Sequence, residues 1–129
     1  MKNTTTAAAP ASSFFELSDF EIPITYPFLP GVEMKFFMRM QMNDEATKAN
    51  QAFLALPKDE REAKDHENNV QLIANLSTRL PENIPTFPTE GDVKQTITDF
   101  FSGDNPMKKK LCVDVLNRYF SHIRPKEYL

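Results

Sequence analysis

The chain has 129 residues, of which 18 are acidic and 15 are basic, so its formal net charge is -3. This length fits one domain, and 40% hydrophobic with 26% charged residues is typical of a soluble globular protein rather than a disordered or fibrous one. No stretch approaches the roughly 18 uninterrupted apolar residues of a membrane helix, and the N-terminus lacks the apolar block of a secretory signal. The single cysteine, Cys112, excludes an internal disulfide and a cysteine-cluster zinc site, which favours a reducing, cytoplasmic setting.

The first residues of the chain have little to bury. Residues 1–12 are small and polar, which predicts a flexible N-terminal arm. Phe14, Phe15 and Leu17 follow directly. Apolar side chains are usually buried, so we expect this segment to dock either on the core of its own domain or on another protein. The sequence leaves both alternatives open.

Two strand patterns come next. Every second residue of residues 20–26 is apolar, as in a half-buried strand: Phe20, Ile22, Ile24 and Tyr26. Pro23 cannot donate a ladder hydrogen bond, so this strand should lie at an edge, or the nitrogen of Pro23 should face outward. After a turn over residues 27–31, residues 32–41 alternate in the same way, with an apolar face of Val32, Met34, Phe36, Met38 and Met40. The two runs predict an antiparallel hairpin with one apolar face.

The second strand also supplies candidate contacts for a partner. Methionine adapts to irregular surfaces, so Met38 and Met40 could serve a variable partner. The alternative is that the chain's own helices cover this face. Phe37 is the one apolar residue on the opposite, polar face, and it is a third candidate contact.

The remaining sequence predicts about four helices. Asn43 can cap a first helix over residues 44–56, and a second should run over residues 58–80 until Pro81 ends it. Three prolines then predict an extended connector pinned by Ile84 and Phe87.

Two helices complete the pattern. Residues 89–92 loosely fit a capping box before a short helix that ends at Phe101. Asp104 or Asn105 should cap the last helix, which begins at Pro106. The predicted fold class is α+β, an N-terminal β-hairpin followed by about four α-helices. We expect a flexible arm over residues 1–12, a single domain over residues 13–126 and a short tail over residues 127–129.

No set of residues converges on catalysis. His66 and His122 are far apart, and neither has neighbours at metal-ligand spacing. Cys112 falls on the apolar side of the last helix, where a thiol behaves as an inert small hydrophobe. The three glycines lie at turns or helix ends rather than in a phosphate-binding loop. The sequence therefore predicts a protein that is not an enzyme and has no catalytic residues, cofactor or metal.

A run of basic residues opens the last helix. Lys108, Lys109 and Lys110 lie in its first turn, where the helix dipole disfavours positive charge. Contact with an acidic partner and a tolerated solvated terminus are both open interpretations. Nucleic acid is disfavoured as the partner, because such binders are usually more basic overall and interleave aromatic side chains with the charge.

The order of these elements resembles the tail assembly chaperones of long-tailed bacteriophages. A strand G-V-E-M-K-F-F-M-R-M leads into N-D-E-A-T-K-A, and a first helix ends in L-A-L-P-K-D-E-R. A second helix carries N-N-V-Q-L-I-A-N-L, and the connector I-P-T-F-P precedes a short helix ending in Asp99, Phe100 and Phe101. The last helix ends in a tyrosine-bearing segment and a proline. The resemblance covers about residues 18–126.

The resemblance implies a non-catalytic protein of the host cell cytoplasm. Members of this family bind the long, helical tape-measure protein, keep its apolar stretches soluble, and leave as tail tube subunits polymerise. The expected partner is therefore a tape-measure or tail tube protein, with no membrane, and a homo-oligomer stays open. The candidate partner contacts are Phe14, Phe15, Phe37, Met38, Met40, Lys108, Lys109, Lys110 and Tyr128.

Two other classes of protein stay open. The first is a virion structural protein, such as a tail-completion or head–tail joining subunit, which would assemble stably into a symmetric ring. The second is a small phage inhibitor that captures one host protein.

Overall fold

The computed structural model describes residues 20–123. The predicted arm, the predicted tail and the candidate contacts Phe14, Phe15 and Tyr128 lie outside the described residues, so the predictions made for them stay predictions. The described part confirms the α+β class, with a three-stranded antiparallel sheet and four helices. No helix within it combines the length and the hydropathy that a bilayer-spanning segment requires.

The hairpin forms in the register that the alternation predicts. Strand β1 (Glu21–Leu29) pairs antiparallel with β2 (Val32–Arg39), and the apolar residues of the two strands lie opposite one another, as at Ile24 and Phe36. The turn contains Gly31 with φ +80°, a left-handed conformation that glycine adopts at no steric cost. One face of the hairpin is therefore apolar throughout.

The first two helices begin where their sequences indicate. Helix α1 (Asp44–Leu54) is capped by Asn43, whose side-chain oxygen accepts from the amide of Ala46 at 2.9 Å. Helix α2 (Lys58–Leu76) follows Pro57, and its highly charged first half stays mostly exposed. Both helices end before their predicted ends at residues 56 and 80.

The early end of α2 creates a strand that the helical pattern concealed. Ser77–Glu82 forms β3, which pairs antiparallel with β2 and gives the sheet order β1-β2-β3. The hydroxyl of Ser77 donates to the carbonyl oxygen of Ile73 at 2.6 Å, a side-chain bond that finishes the last helical turn. The predicted helix over residues 77–80 is wrong, because β2 offers these residues backbone partners that a sequence pattern does not show.

The last two helices confirm most of their predicted bounds. Helix α3 (Val93–Phe101) is capped by Asp92, which accepts from the amide of Gln95 at 2.9 Å, so the cap lies at the end of the predicted capping box rather than at Thr89. Helix α4 (Pro106–Ile123) is capped by Asn105, which accepts from the amides of Met107 and Lys108.

The core lies between the apolar face of the sheet and the helices. Its fully buried large side chains come from every layer: Ile24, Phe36, Met38, Val70, Ile73, Leu76, Ile97, Phe101, Val115 and Tyr119. The proline-rich connector is pinned as predicted, because Ile84 and Phe87 are each only 9% exposed. Aromatic contacts join the connector to α3, with ring centroids of Phe87 and Phe100 4.7 Å apart.

Strand β1 lies at one edge of the sheet, as Pro23 predicts, and β3 lies at the other. Along β1, the backbone N–H and C=O groups of every second residue face β2, and those of the residues between them face outward. Two bonds fix the alternation: the Met40 amide donates to the Phe20 carbonyl at 2.8 Å, and Arg118 reaches the outward carbonyl of Thr25 at 3.1 Å. Pro23 and Pro27 therefore occupy outward positions, where their missing N–H groups deny a donor to any added strand.

Candidate protein-binding site

The outer face of the sheet turns away from the helices. Its central residue, Phe37, is the predicted exposed contact, but the ring is only 8% exposed. The guanidinium of Arg79, from β3, lies 3.9 Å from the ring centroid. The pairing of Phe37 with Arg79 across the unpredicted strand explains the burial and corrects the expectation of an exposed ring.

A carboxylate on the far strand holds Arg79 in place. Glu21, from β1, accepts from Arg79 Nη2 at 2.8 Å and from Nε at 3.1 Å, and it also accepts from the hydroxyl of Thr78. The hydrogen bond from Thr78, helped by Arg79, holds the pKa of Glu21 below its usual value. We call Glu21, Phe37, Thr78 and Arg79 the outer-face clasp, because it ties all three strands together. This clasp leaves little apolar surface for a partner.

The methionine-rich face is the core rather than a free surface. Met34 and Met38 are buried, with exposed fractions of 5% and 0%, so Met38 cannot touch a partner in this conformation. Met40 differs because it lies beyond the last residue of β2, where the helices no longer cover the sheet. It is 38% exposed.

The three lysines of α4 all have partners within the domain. Lys108 Nζ donates to the carbonyl oxygen of Phe100 at 2.8 Å and lies 4.1 Å from that ring's centroid. Lys109 Nζ is 3.7 Å from Asp104. Lys110 Nζ donates to Asp114 at 2.7 Å, and this hydrogen bond is the main cause that lowers the pKa of Asp114. The run therefore tethers the start of α4, and only Lys109 and Lys110 also remain exposed to a partner.

Exposed apolar side chains meet at both ends of the hairpin: Leu29 and Val32 beside the turn, and Phe20 and Met40 at the other end. Phe20 and Met40 lie opposite each other, joined by the 2.8 Å backbone bond, and are 44% and 38% exposed. We call this end, away from the Gly31 turn, the open end. Sequence analysis missed Phe20 because its place on the apolar strand face suggested the core. Its exposure could have been predicted from its position, because Phe20 is the first residue of the alternating run and lies beyond the part of the sheet that the helices cover.

Several elements terminate at the open end. Asp114 bonds Tyr26 at 3.0 Å and Arg118 bonds Thr25, so α4 runs antiparallel to β1 and its last residues approach the start of that strand. Helix α2 also ends here, since Ser77 pairs with Met38. Phe20 and Ile123, the first and last residues that the structure describes, therefore belong to the same end of the molecule.

Two buried polar atoms at this end have no hydrogen-bond partner among residues 20–123. They are the hydroxyl of Tyr119 and the side-chain oxygen of Asn75. Tyr119 is fully buried, and this burial raises the pKa of its hydroxyl, while the charge of Arg39 nearby acts in the opposite direction. Asn75 is 8% exposed and lies beside Asn43, which donates to its backbone carbonyl at 3.3 Å. Unpaired buried polar groups cost about 1–3 kcal/mol each. The described residues have others away from this end, at Arg61 Nε and His66 Nδ1.

A polar cleft of about 330 Å³ lies elsewhere, between α2 and the α3–α4 connection. Two pairs of groups in and around it are hydrogen-bonded, while the other ring nitrogen of His66, Nδ1, is buried without a hydrogen-bond partner in the described part of the chain. His66 Nε2 donates to the carbonyl oxygen of Phe101 at 2.7 Å, and Gln71 donates to Thr98 at 3.3 Å. No group of acidic, histidine and cysteine side chains within residues 20–123 is arranged to hold a metal ion. Burial raises the pKa of Cys112 to about 12, so its thiol is not a nucleophile at neutral pH.

The open end is therefore the candidate binding site within residues 20–123. It consists of the half-exposed side chains of Phe20 and Met40, with the unpaired polar atoms of Tyr119 and Asn75 buried at the same end. Its chemistry suits contact with another apolar surface. Comparison with known proteins finds no matching family model, no matching curated protein and no matching solved structure.

Proposed function

We propose that this chain is a non-catalytic tail assembly chaperone of a long-tailed bacteriophage. In this proposal it binds the tape-measure protein in the host cytoplasm and keeps it soluble until tail tube subunits replace it. The observation that carries the proposal is the exposed pair of Phe20 and Met40 at the open end. The order of elements, which resembles that family, supplies the identity of the partner.

The chemistry of the open end suits a transient apolar partner. Large apolar side chains that are about 40% exposed and lie side by side provide area for contact without a deep, permanent interface. Methionine tolerates variable partner surfaces because its unbranched chain adapts its shape. Phe14 and Phe15, which precede Phe20 in the chain, stay predicted partner contacts.

The test is co-expression with the tape-measure protein of the same genome, followed by pull-down and light scattering. We expect the two proteins to co-purify and the tape-measure protein to precipitate when this chain is omitted. Replacing both open-end residues, Phe20→Ser with Met40→Ser, should weaken capture at least about tenfold, as loss of a central apolar contact does.

The hairpin offers a matched control at its other end. Leu29 and Val32 are 57% and 39% exposed beside the turn, so Leu29→Ser with Val32→Ser removes comparable apolar surface. This control should leave capture unchanged. An insoluble tape-measure protein that never co-purifies contradicts the proposed function, and equal losses from both double variants contradict the assignment of the surface.

A further inference from the structure

The connector between β3 and α3 carries backbone strain above a cluster of phenylalanines. We call residues 83–91 the strap; it leads from the end of β3 to Asp92, the cap of α3. We propose that the strap is a conformational device, which opens and closes over the phenylalanines of α3 while the sheet and the helices stay folded. The structure shows its closed state. The proposal concerns the chain alone and does not rest on the proposed function.

Thr86 adopts a strained backbone conformation. The amide of Phe87 donates to the carbonyl oxygen of Ile84 at 3.1 Å, which closes a four-residue turn with Pro85 in its second position. Thr86, in the third position, has φ +65°. Proline followed by a positive φ is the pattern of a type II turn, whose third position favours glycine. A β-branched residue is an outlier there, so the closed strap is strained at this residue.

The neighbouring prolines explain why the strain falls on Thr86. The ring of Pro85 fixes its own φ at about −65°, and Pro88 restricts the residue before it, Phe87, to extended backbone. Ile84 is restricted in the same way because it precedes Pro85. The chain can therefore reverse its direction between Ile84 and Phe87 only through an unusual conformation at Thr86.

Two buried side chains hold the strap closed against this strain. Ile84 and Phe87 are each 9% exposed, whereas Thr86 is exposed. The ring centroid of Phe87 lies 4.7 Å from that of Phe100 and 6.2 Å from that of Phe101. Strained residues persist only where the surrounding structure holds them. Release of Phe87 allows Thr86 to relax, so the strain favours opening.

The remaining attachments of the strap are few, which makes its opening local. Asn83 Nδ2 donates to the carbonyl oxygen of Glu33 at 2.9 Å, and within residues 20–123 the turn bond is the other hydrogen bond of the strap. Residues 88–91 are exposed. Segments with few buried contacts and exposed hydrogen bonds open at a lower free energy than the core.

Opening uncovers part of the aromatic cluster beneath the strap. Phe101 is fully buried in the closed state, and Phe100 is half-buried against Phe87. Phe100 is held independently of the strap, because Lys108 Nζ donates to its carbonyl oxygen at 2.8 Å and lies 4.1 Å from its ring centroid. The strap therefore controls whether the phenylalanines of α3 face water.

Amide hydrogen exchange measures the opening, because the turn bond protects the amide of Phe87. We expect Thr86→Gly and Thr86→Asn each to raise the protection factor of this amide by about fivefold or more. Both residues adopt a positive φ at a lower cost, and asparagine does so without the added flexibility of glycine. Thr89→Gly is the matched control, since Thr89 is an exposed residue of the same strap without a positive φ.

The unmodified chain supplies the second comparison. The amide of Phe87 should be much less protected than that of Ile73, a fully buried residue of α2, and its protection should depend only weakly on urea. Equal protection of the two amides would overturn the proposal, because the strap then opens only with global unfolding. An unchanged protection factor in both Thr86 variants, or an equal gain from Thr89→Gly, would overturn it as well.

A variant with its strap held open tests the surface beneath. Phe87→Ser removes an anchor, so it should keep the far-ultraviolet circular dichroism of the unmodified chain while binding of anilinonaphthalene sulfonate raises the dye fluorescence several-fold. Leu54→Ser changes an apolar residue that is already 57% exposed, and it should not raise the fluorescence. Loss of the helical signal in Phe87→Ser, or fluorescence equal to that of Leu54→Ser, contradicts a separately opening strap. No tape-measure protein is involved, so failure here is separate from failure of the proposed function.

Discussion

The two faces of the sheet bury aromatic side chains by different physical means. On the inner face, Phe36 is fully buried under helices, with its ring centroid 6.2 Å from that of Phe101. On the outer face, Phe37 is nearly as buried, although its cover is the charged side chain of Arg79. The comparison teaches that equal burial does not mean equal surroundings: one ring lies in a close-packed interior and the other under a salt-bridged lid.

The inner face should show the largest response to substitution. Phe36→Ala leaves a cavity among helices that cannot collapse freely, so we expect a loss of about 3–5 kcal/mol in the free energy of unfolding. Urea denaturation measures it, with Phe36→Leu as the milder control. A loss below about 1 kcal/mol would break the comparison by showing that the inner face is loosely packed.

The outer face should respond less to the same substitution. Phe37→Ala removes a ring whose place water can take once Arg79 moves, so no closed cavity forms. We therefore expect the free energy of unfolding to fall by about 2 kcal/mol, near the transfer free energy of the side chain alone. The measurement is the same urea denaturation series. A loss of stability equal to that caused by Phe36→Ala would mean that Arg79 covers its ring as rigidly as the helices cover Phe36.

Arg79, which covers Phe37 in the outer-face clasp, should contribute less to the free energy of unfolding than either ring does. Arg79 is 57% exposed, so its ion pair with Glu21 is screened, and Arg79→Ala should cost at most about 1 kcal/mol. A double-mutant cycle of Arg79→Ala with Phe37→Ala should give a coupling of about 0.5–1 kcal/mol for the ring contact.

The exposed pair of Lys94 and Glu45 is the control for this cycle, since the cation–π contacts within residues 20–123 are made by Arg79, Lys108 and Arg118 rather than by Lys94. The losses in free energy of unfolding caused by Lys94→Ala and by Phe37→Ala should therefore be additive in the double variant. A coupling energy of zero between Arg79 and Phe37 would mean that Arg79 contributes only through its surface ion pair with Glu21.

The smallest effect should be a pH dependence from Glu21. Its folded-state pKa is depressed below 4.5 by Thr78 and Arg79, so its stabilisation is present above pH 4.5 and is lost as pH falls through the folded-state pKa. As pH is lowered from above 4.5 to below the folded-state pKa of Glu21, the thermal unfolding midpoint should therefore fall less steeply for Glu21→Gln than for the unmodified protein. Parallel curves would contradict a role for the carboxylate in the clasp.

Local sequence patterns predicted much of this fold. The alternation of apolar residues predicted the hairpin and its faces, and Pro23 predicted the edge position of β1. Asn43 was the predicted cap of α1 and Asn105 one of two predicted for α4, beside Asp104, because a short polar side chain before an apolar helical stripe satisfies the first free amides. These features depend on neighbours within a few residues, so the sequence displays them directly.

The candidate site was predicted less well. Phe37 and Met38 were expected as contacts, and both are buried, while Phe20 was assigned to the core and is exposed. Met40 was expected as a contact; its side chain is exposed, and the contact stays a prediction. The lysines of α4 were expected to form a solvated terminus or to contact an acidic partner. Lys109 and Lys110 are indeed exposed, each of the three lysines also has a contact within the domain, and the partner contact stays a prediction.

The sequence by itself determined the local elements: the strand faces, the proline-guarded edge and most helix starts. Only the tertiary structure decided that residues 77–82 form a strand, because their helical spacing is overridden by hydrogen bonds to β2, far away along the chain. That pairing brought Arg79 onto Phe37, and the limited reach of the helices left Phe20 and Met40 uncovered. Exposure is a property of what packs against a residue, and long-range contacts decide it.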